Sequence, residues 1–183
     1  MSINSAKTGS TGLSLALDNN FMEPIASILV GSGGSNTIIF NDIPQTYKHL
    51  QLRALVRGGS ETGVNASYNG SGGTNHALYG RGTTNTVGSF PDSIMTIGVT
   101  PDSANNAAAF AAFVADILDY TNTNKFKTTR SLAGVEITGS GNSYLFFLSG
   151  LWQSTNAISS ISLSLTSGIF SQNTRVSLYG IKG

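Results

Sequence analysis

From Ser159 to Ser167 the chain reads SSISLSLTS, and that alternation narrows the possible folds more than any other feature. Only an extended strand sends Ile161, Leu163 and Leu165 to one face and Ser160, Ser162 and Ser164 to the other, so the segment is a strand with one face buried. HLQLRALVRG repeats the pattern, with Leu50, Leu52, Ala54 and Val56 opposite His49, Gln51 and Arg53. YLFFLSGLW, starting at Tyr144, is apolar on both parities, which suits a central strand covered on both sides. NTIIF, VNASY, NHALYG, SIMTIGV, SLAGVEI and RVSLYGIK bring the total to about nine or ten strands. Between them recur turn-forming clusters: GSGGSN, GGSETG, NGSGG, GRGTTN, TNTN and GSGN. Short strands punctuated in this way predict an all-β sandwich or barrel. The absence of a fixed repeat disfavours a propeller or solenoid, and a jelly-roll-like antiparallel β-sandwich is the expected architecture. A chain of 183 residues suits one such domain. We place it at residues 36–183, preceded by an extended N-terminal arm at 1–35.

NNAAAFAAFVADILDY, residues 105–120, fits less simply. Phe110, Phe113, Val114, Ile117 and Leu118 fall at the spacing of an amphipathic helix. As a strand, however, the segment forms a hairpin around TNTN. Pairing Tyr120 with Phe126 then sets Asp119 opposite Lys127 and Asp116 opposite Arg130, so one register gives two charge pairs and an aromatic pair, each worth roughly 0.2–1 kcal/mol. That register favours the strand.

The same hairpin concentrates the ionisable groups of a chain in which only 10% of residues are charged. On a strand, residues three apart point to opposite faces, so Asp116 and Asp119 do not converge as an acid and base pair. The cluster reads as structural, and no catalytic residue is assigned. His49 and His76 are the only imidazoles and lack metal-ligand spacing, so no metal is expected. GSGGSN lacks both the last glycine of a dinucleotide fingerprint and the lysine of a P-loop, so no cofactor is expected either. The Asn-x-Ser sequences at Asn65 and Asn69 matter only in a glycosylating host. Trp152, Tyr68, Tyr79 and Tyr144 are the candidates for stacking on a glycan.

A net charge of +1 supplies no field for drawing the chain to nucleic acid. Gly, Ser, Thr and Asn make up about 45% of the residues, so the polar surface is hydroxyl and amide. Cysteine is absent, leaving stability to packing. In GLSLALDNNFMEPIASILV the residues Asp18, Asn19, Asn20, Glu23 and Pro24 interrupt the apolar run, so neither a signal sequence nor membrane insertion is expected. This arm cannot form a core unaided. Its Leu13, Leu15, Leu17, Phe21, Met22, Ile25, Ile28 and Leu29 are expected to be buried against another subunit or a neighbouring protein.

NSAKTGSTGLSLALDNNFMEPIA, IPQTYKHLQLRALVRG, DILDYTNTNKFKTTRSLAG, SGLWQSTNAISSISL and the terminal SLYGIKG together resemble a group of small virion structural proteins of tailed bacteriophages, particularly those of aquatic bacteria. The resemblance covers nearly the whole chain and brings no catalytic residue with it. It implies a non-enzymatic structural protein of a virion, assembled in the host cytoplasm. The expected role is a capsid decoration or cement protein held by its arm to the major capsid protein. A tail-fibre tip, adaptor or baseplate module that contacts tail proteins and a host surface glycan is the alternative, and a carbohydrate-binding module the third reading. Exposed edge strands with few charges to blunt them predict self-association burying more than about 1,000 Å². The resemblance suggests a homotrimer.

Overall fold

The computed structural model of the chain describes residues 21–81, 84–90, 94–101, 108–136 and 143–183, with backbone alone for 79–81 and 84–90. Among these residues there are twelve strands and no helix. They are β1 (Met22–Leu29), β2 (Thr37–Phe40), β3 (His49–Val56), β4 (Thr62–Tyr68), β5 (Thr74–Arg81), β6 (Thr84–Phe90), β7 (Met95–Thr100), β8 (Ala111–Leu118), β9 (Lys127–Val135), β10 (Tyr144–Trp152), β11 (Ile161–Leu165) and β12 (Arg175–Ile181). One sheet has eight strands in the order β1-β12-β3-β8-β9-β10-β5-β6, and the other has four in the order β2-β11-β4-β7. Every described pairing is antiparallel.

The order reveals nested pairs. β1 joins β12, β2 joins β11, β3 joins β8 and β4 joins β7, alternately in the large and the small sheet. A long antiparallel ribbon rolled up so that successive pairs change sheets is a jelly roll. Two further hairpins, β5–β6 and β9–β10, are inserted into this roll, and both extend the same sheet beyond β8. The core lies between the layers, where Leu50, Leu52, Phe113 and Ile117 of the large sheet face Ile38, Val64, Ile97 and Leu163 of the small one. A tight turn at Asn69-Gly70, both with positive φ, reverses the chain after β4, and Tyr68 and Ser71 exchange both backbone hydrogen bonds across it.

The 111–118 segment is a strand, which removes the helical alternative for it; residues 104–107 lie outside the described residues. Asp116 faces Arg130 in the anticipated register. The three side-chain pairings do not follow from it. β8 ends at Leu118, and Asp119, at φ 49°, swings out of the ladder to bind Lys48 and Lys125. Lys127 turns inward instead and is completely buried. The Asp116 carboxylate accepts a hydrogen bond from Gln51 Nε2 at 2.7 Å and forms no ion pair with Arg130. Tyr120 is buried beneath the turn, its hydroxyl donating to the Pro44 carbonyl, whereas Phe126 is about half exposed.

Two strands were not anticipated. β6 occupies part of what reads as turn and loop, because TNTVGSF has little apolar alternation and is paired with β5 through its backbone. The other is β1, which corrects the expected arm boundary at residue 35. Met22–Leu29 is the edge strand of the chain's own large sheet, hydrogen-bonded along β12 with a bulge between Pro24 and Ala26. The ladder pairs the backbone groups on the side facing β12, and Tyr47 Oη donates to Glu23 Oε2 at 3.0 Å while Lys182 Nζ lies 2.6 Å from Glu23 Oε1. Residues 1–20 of the expected arm lie outside the described residues.

Candidate interaction face

On β9 and β10 the usual sorting of apolar residues inward breaks down. β9 sends Lys127, Thr129, Ser131, Ala133 and Val135 into the core and turns Leu132 out. β10 sends Tyr144, Leu148 and Trp152 in and turns Leu145 and Phe147 out. Register lines these outward residues up across the sheet. One row runs Arg53, Val114, Leu132, Phe147 and Leu78, and the next runs Arg175, Leu55, Ala112, Gly134 and Leu145. Leu55, Leu78, Val114, Leu132, Leu145 and Phe147 are each between 39% and 60% exposed. They form an apolar band across five strands of a rigid ladder, presenting on the order of 500–600 Å² of apolar surface, at the upper end for a monomer.

The band is sculpted. Ala112 and Gly134 face each other in register and leave a depression of about 510 Å³ walled by Leu55, Val114, Leu132 and Leu145. Two strands further along, the cross-strand neighbours Phe147 and Leu78 project outward as large side chains, each about half exposed. Arg53, which borders the band, is tied to polar and aromatic neighbours. Arg53 donates through Nε to Gln51 Oε1 at 2.7 Å and lies over the Tyr179 ring at 5.4 Å, while Gln51 in turn holds Asp116. These partners occupy the next outward row, Tyr179, Gln51, Asp116, Arg130 and Ser149, while Arg53 and Arg175 themselves line the depression on its β3 and β12 side.

The residues expected to anchor the arm divide. Leu13, Leu15 and Leu17 lie outside the described residues. Phe21 is 74% exposed, and Met22 is half-buried. Ile25 and Ile28 are half-buried and pack against the chain's own core, because β1 is part of the sheet. Leu29 is exposed opposite Arg175, at one end of the apolar rows. The band itself was missed, although its signal lay in YLFFLSGLW. Apolar residues on both parities imply cover on both faces, and among the described residues only the inner face has it.

Other candidate chemistry is absorbed by structure. His49 Nδ1 accepts the Asp119 backbone N–H at 2.8 Å, which clamps the β8–β9 turn. Lys125 and Lys48 beside Asp119 hold its carboxyl below the usual carboxylate range, against the opposing effect of burial. His76 is exposed on the outer face of β5. Among the described residues, no three His, Cys, Asp or Glu side chains gather to hold a metal. Asn65 and Asn69 both use their amides within the fold. Asn65 donates to Thr166, and Asn69 Oδ1 accepts the Ser159 and Ser160 amides. Of the rings considered for glycan stacking, Trp152, Tyr68 and Tyr144 are buried; the Tyr79 side chain lies outside the described residues. Trp152 Nε1 donates to Ser71 Oγ, Tyr144 Oη to Glu61 Oε2, and Tyr68 shares a hydrogen with Thr129 Oγ1. Burial pushes the Tyr68 phenol far up, so it serves as a neutral core group.

No family model, curated protein or solved structure matches the chain.

Proposed function

We propose that the chain is a non-enzymatic structural protein of a phage particle, a decoration or cement component that works by presenting a preformed surface to other protein subunits. The observation that carries this reading is the apolar band, held on the ladder of an eight-stranded sheet, with Arg53 at its border tied to Gln51 and Gln51 to Asp116. A surface of this kind gains affinity by excluding water and loses little entropy on binding, because its side chains stand on a hydrogen-bonded ladder. The link to a virion comes from the sequence resemblance. Glycan recognition is the weaker reading, since the buried rings of Trp152, Tyr68 and Tyr144 offer no stacking face.

Residues 1–20, with Leu13, Leu15 and Leu17, are assigned to anchoring the protein on its particle. Mass-spectrometric quantification of purified particles tests the whole reading. A decoration protein is present at on the order of hundreds of copies and a tail component at about a dozen or fewer, following the symmetry of each structure. Absence from particles made in cells that express the chain overturns the virion assignment.

A further inference from the structure

We infer that the outer face of the eight-stranded sheet is the surface through which two copies of this chain pair, face to face, about a two-fold axis passing between β9 and β10. The inference goes beyond the virion assignment and does not depend on it.

The argument begins with β10, whose apolar residues on both parities call for cover on both sides. The small sheet covers the inner side, with Met95 of β7 packed over Gly150. For the outer side, the face carries its own complement. The Ala112–Gly134 depression and the Phe147–Leu78 prominence are about two strand spacings apart, roughly 10 Å, with Leu132 and Leu145 between them. Turning a second copy over about an in-plane axis midway between the two features seats each prominence in the other's depression. That is the isologous condition, in which one patch meets itself.

Chemistry and area both fit. A depression walled by three leucines and a valine suits a phenyl and an isobutyl group. Two bands in contact bury on the order of 1,000–1,200 Å² before their surroundings are counted, which reaches the lower bound of stable interfaces. Sheets stacked in this way sit about 10 Å apart, the spacing at which outward side chains interdigitate. Arg53 and Arg175 line the side of the depression on β3 and β12, away from the axis between β9 and β10, so the two copies' arginines lie on opposite sides of the contact and do not meet in the centre. The contact is closed, so it forms pairs and not fibres. It departs from the threefold symmetry suggested by the resemblance.

The test uses the purified full-length protein. Light scattering at tens of micromolar should give twice the chain mass of 19.0 kDa. Leu132→Asp and Phe147→Asp, which change exposed positions, should each give the single-chain mass with an unchanged far-UV spectrum, raising the dissociation constant about a hundredfold or more. Because the chain has no cysteine, Leu145→Cys beside the axis is a clean reporter, and a short bis-maleimide should join it into pairs. Ser167→Cys, at the small sheet, should stay unjoined. A two-chain mass that survives both aspartate substitutions, or a three-chain mass, overturns the inference. So does a single-chain wild type. In that case a maleimide-reactive Leu145→Cys shows a face left open for another protein, and a protected one shows a face covered by the chain's own residues 1–20.

Discussion

Lys127 and Trp152 are cross-strand partners at one end of the β9–β10 ladder, and the lysine Nζ lies 5.7 Å from the centroid of the indole. The ammonium is fully buried and donates to the carbonyls of Lys125, Ser154 and Thr155 at 3.0–3.4 Å. It thereby ties the start of β9 to the loop leaving β10. Burial, and secondarily the Lys125 charge, lower its pKa below 10.5. Between that lowered value and 10.5 the unfolded chain binds the extra proton, so this residue's contribution to stability rises with pH across the window. Lys127→Met should cost about 1–3 kcal/mol at pH 7, because three carbonyls lose their donor. The deficit against the wild type should widen as the pH approaches 10.5. Urea unfolding at pH 7 and pH 10 measures both effects, and an identical deficit at the two values would show that Lys127 keeps its ordinary pKa.

Gly180 in β12 lies beneath the Tyr47 ring, and a Cβ there would sit 2.3 Å from two ring carbons. Gly180→Ala should therefore displace Tyr47 and break its hydrogen bond to Glu23, one of the contacts that hold β1 on the sheet. The expected loss is about 2–4 kcal/mol. In the double variant Tyr47→Ala/Gly180→Ala the clash is gone, so the glycine substitution should cost far less in that background. Thermal unfolding of the four proteins in the cycle gives the coupling directly.

Asp119 combines a left-handed backbone with an ion-paired carboxylate. Its pKa is lowered, so its contribution is present above the unfolded value near 3.8 and is lost as pH falls through the folded value. Asp119→Asn tolerates the same φ and removes only the charge, and should cost under about 1 kcal/mol at pH 7 because both lysines are more than half exposed. That cost should be smaller at pH 3, below the unfolded value of 3.8, than at pH 7. Asp119→Ala adds the backbone penalty, about 1 kcal/mol more, at every pH. Denaturant titrations at the two pH values separate the contributions.

What the sequence discloses depends on where each signal resides. β3 and β11 are legible because burial of one face imposes alternation on the chain itself. The β8–β9 register is legible because a single short turn ties the two strands together. β1 is less so, since its partner β12 lies about 150 residues away and Pro24 sits beside a bulge. The inward turn of Lys127 was hidden for another reason: the carbonyls that accept its protons come from a loop, not from the facing strand. The apolar band was visible only as an excess. Leu132, Leu145 and Phe147 read as ordinary strand residues until the topology shows that nothing among the described residues covers them.

The nesting of strand pairs also dictates a timetable. β4 and β7 are the innermost pair and can meet as soon as β7 is synthesised, with β3 and β8, then β2 and β11, following outward. β1 leaves the ribosome first and is completed last, because Ser27 finds Ser177 only after 150 further residues have been made. Throughout that interval β1 has no ladder of its own, and whatever precedes it is tethered to an unfinished sheet. A partner that recognises residues 1–20 in the context of a docked β1 would thus meet only chains whose β12 is already in place, and assembly would accept closed sheets over nascent ones.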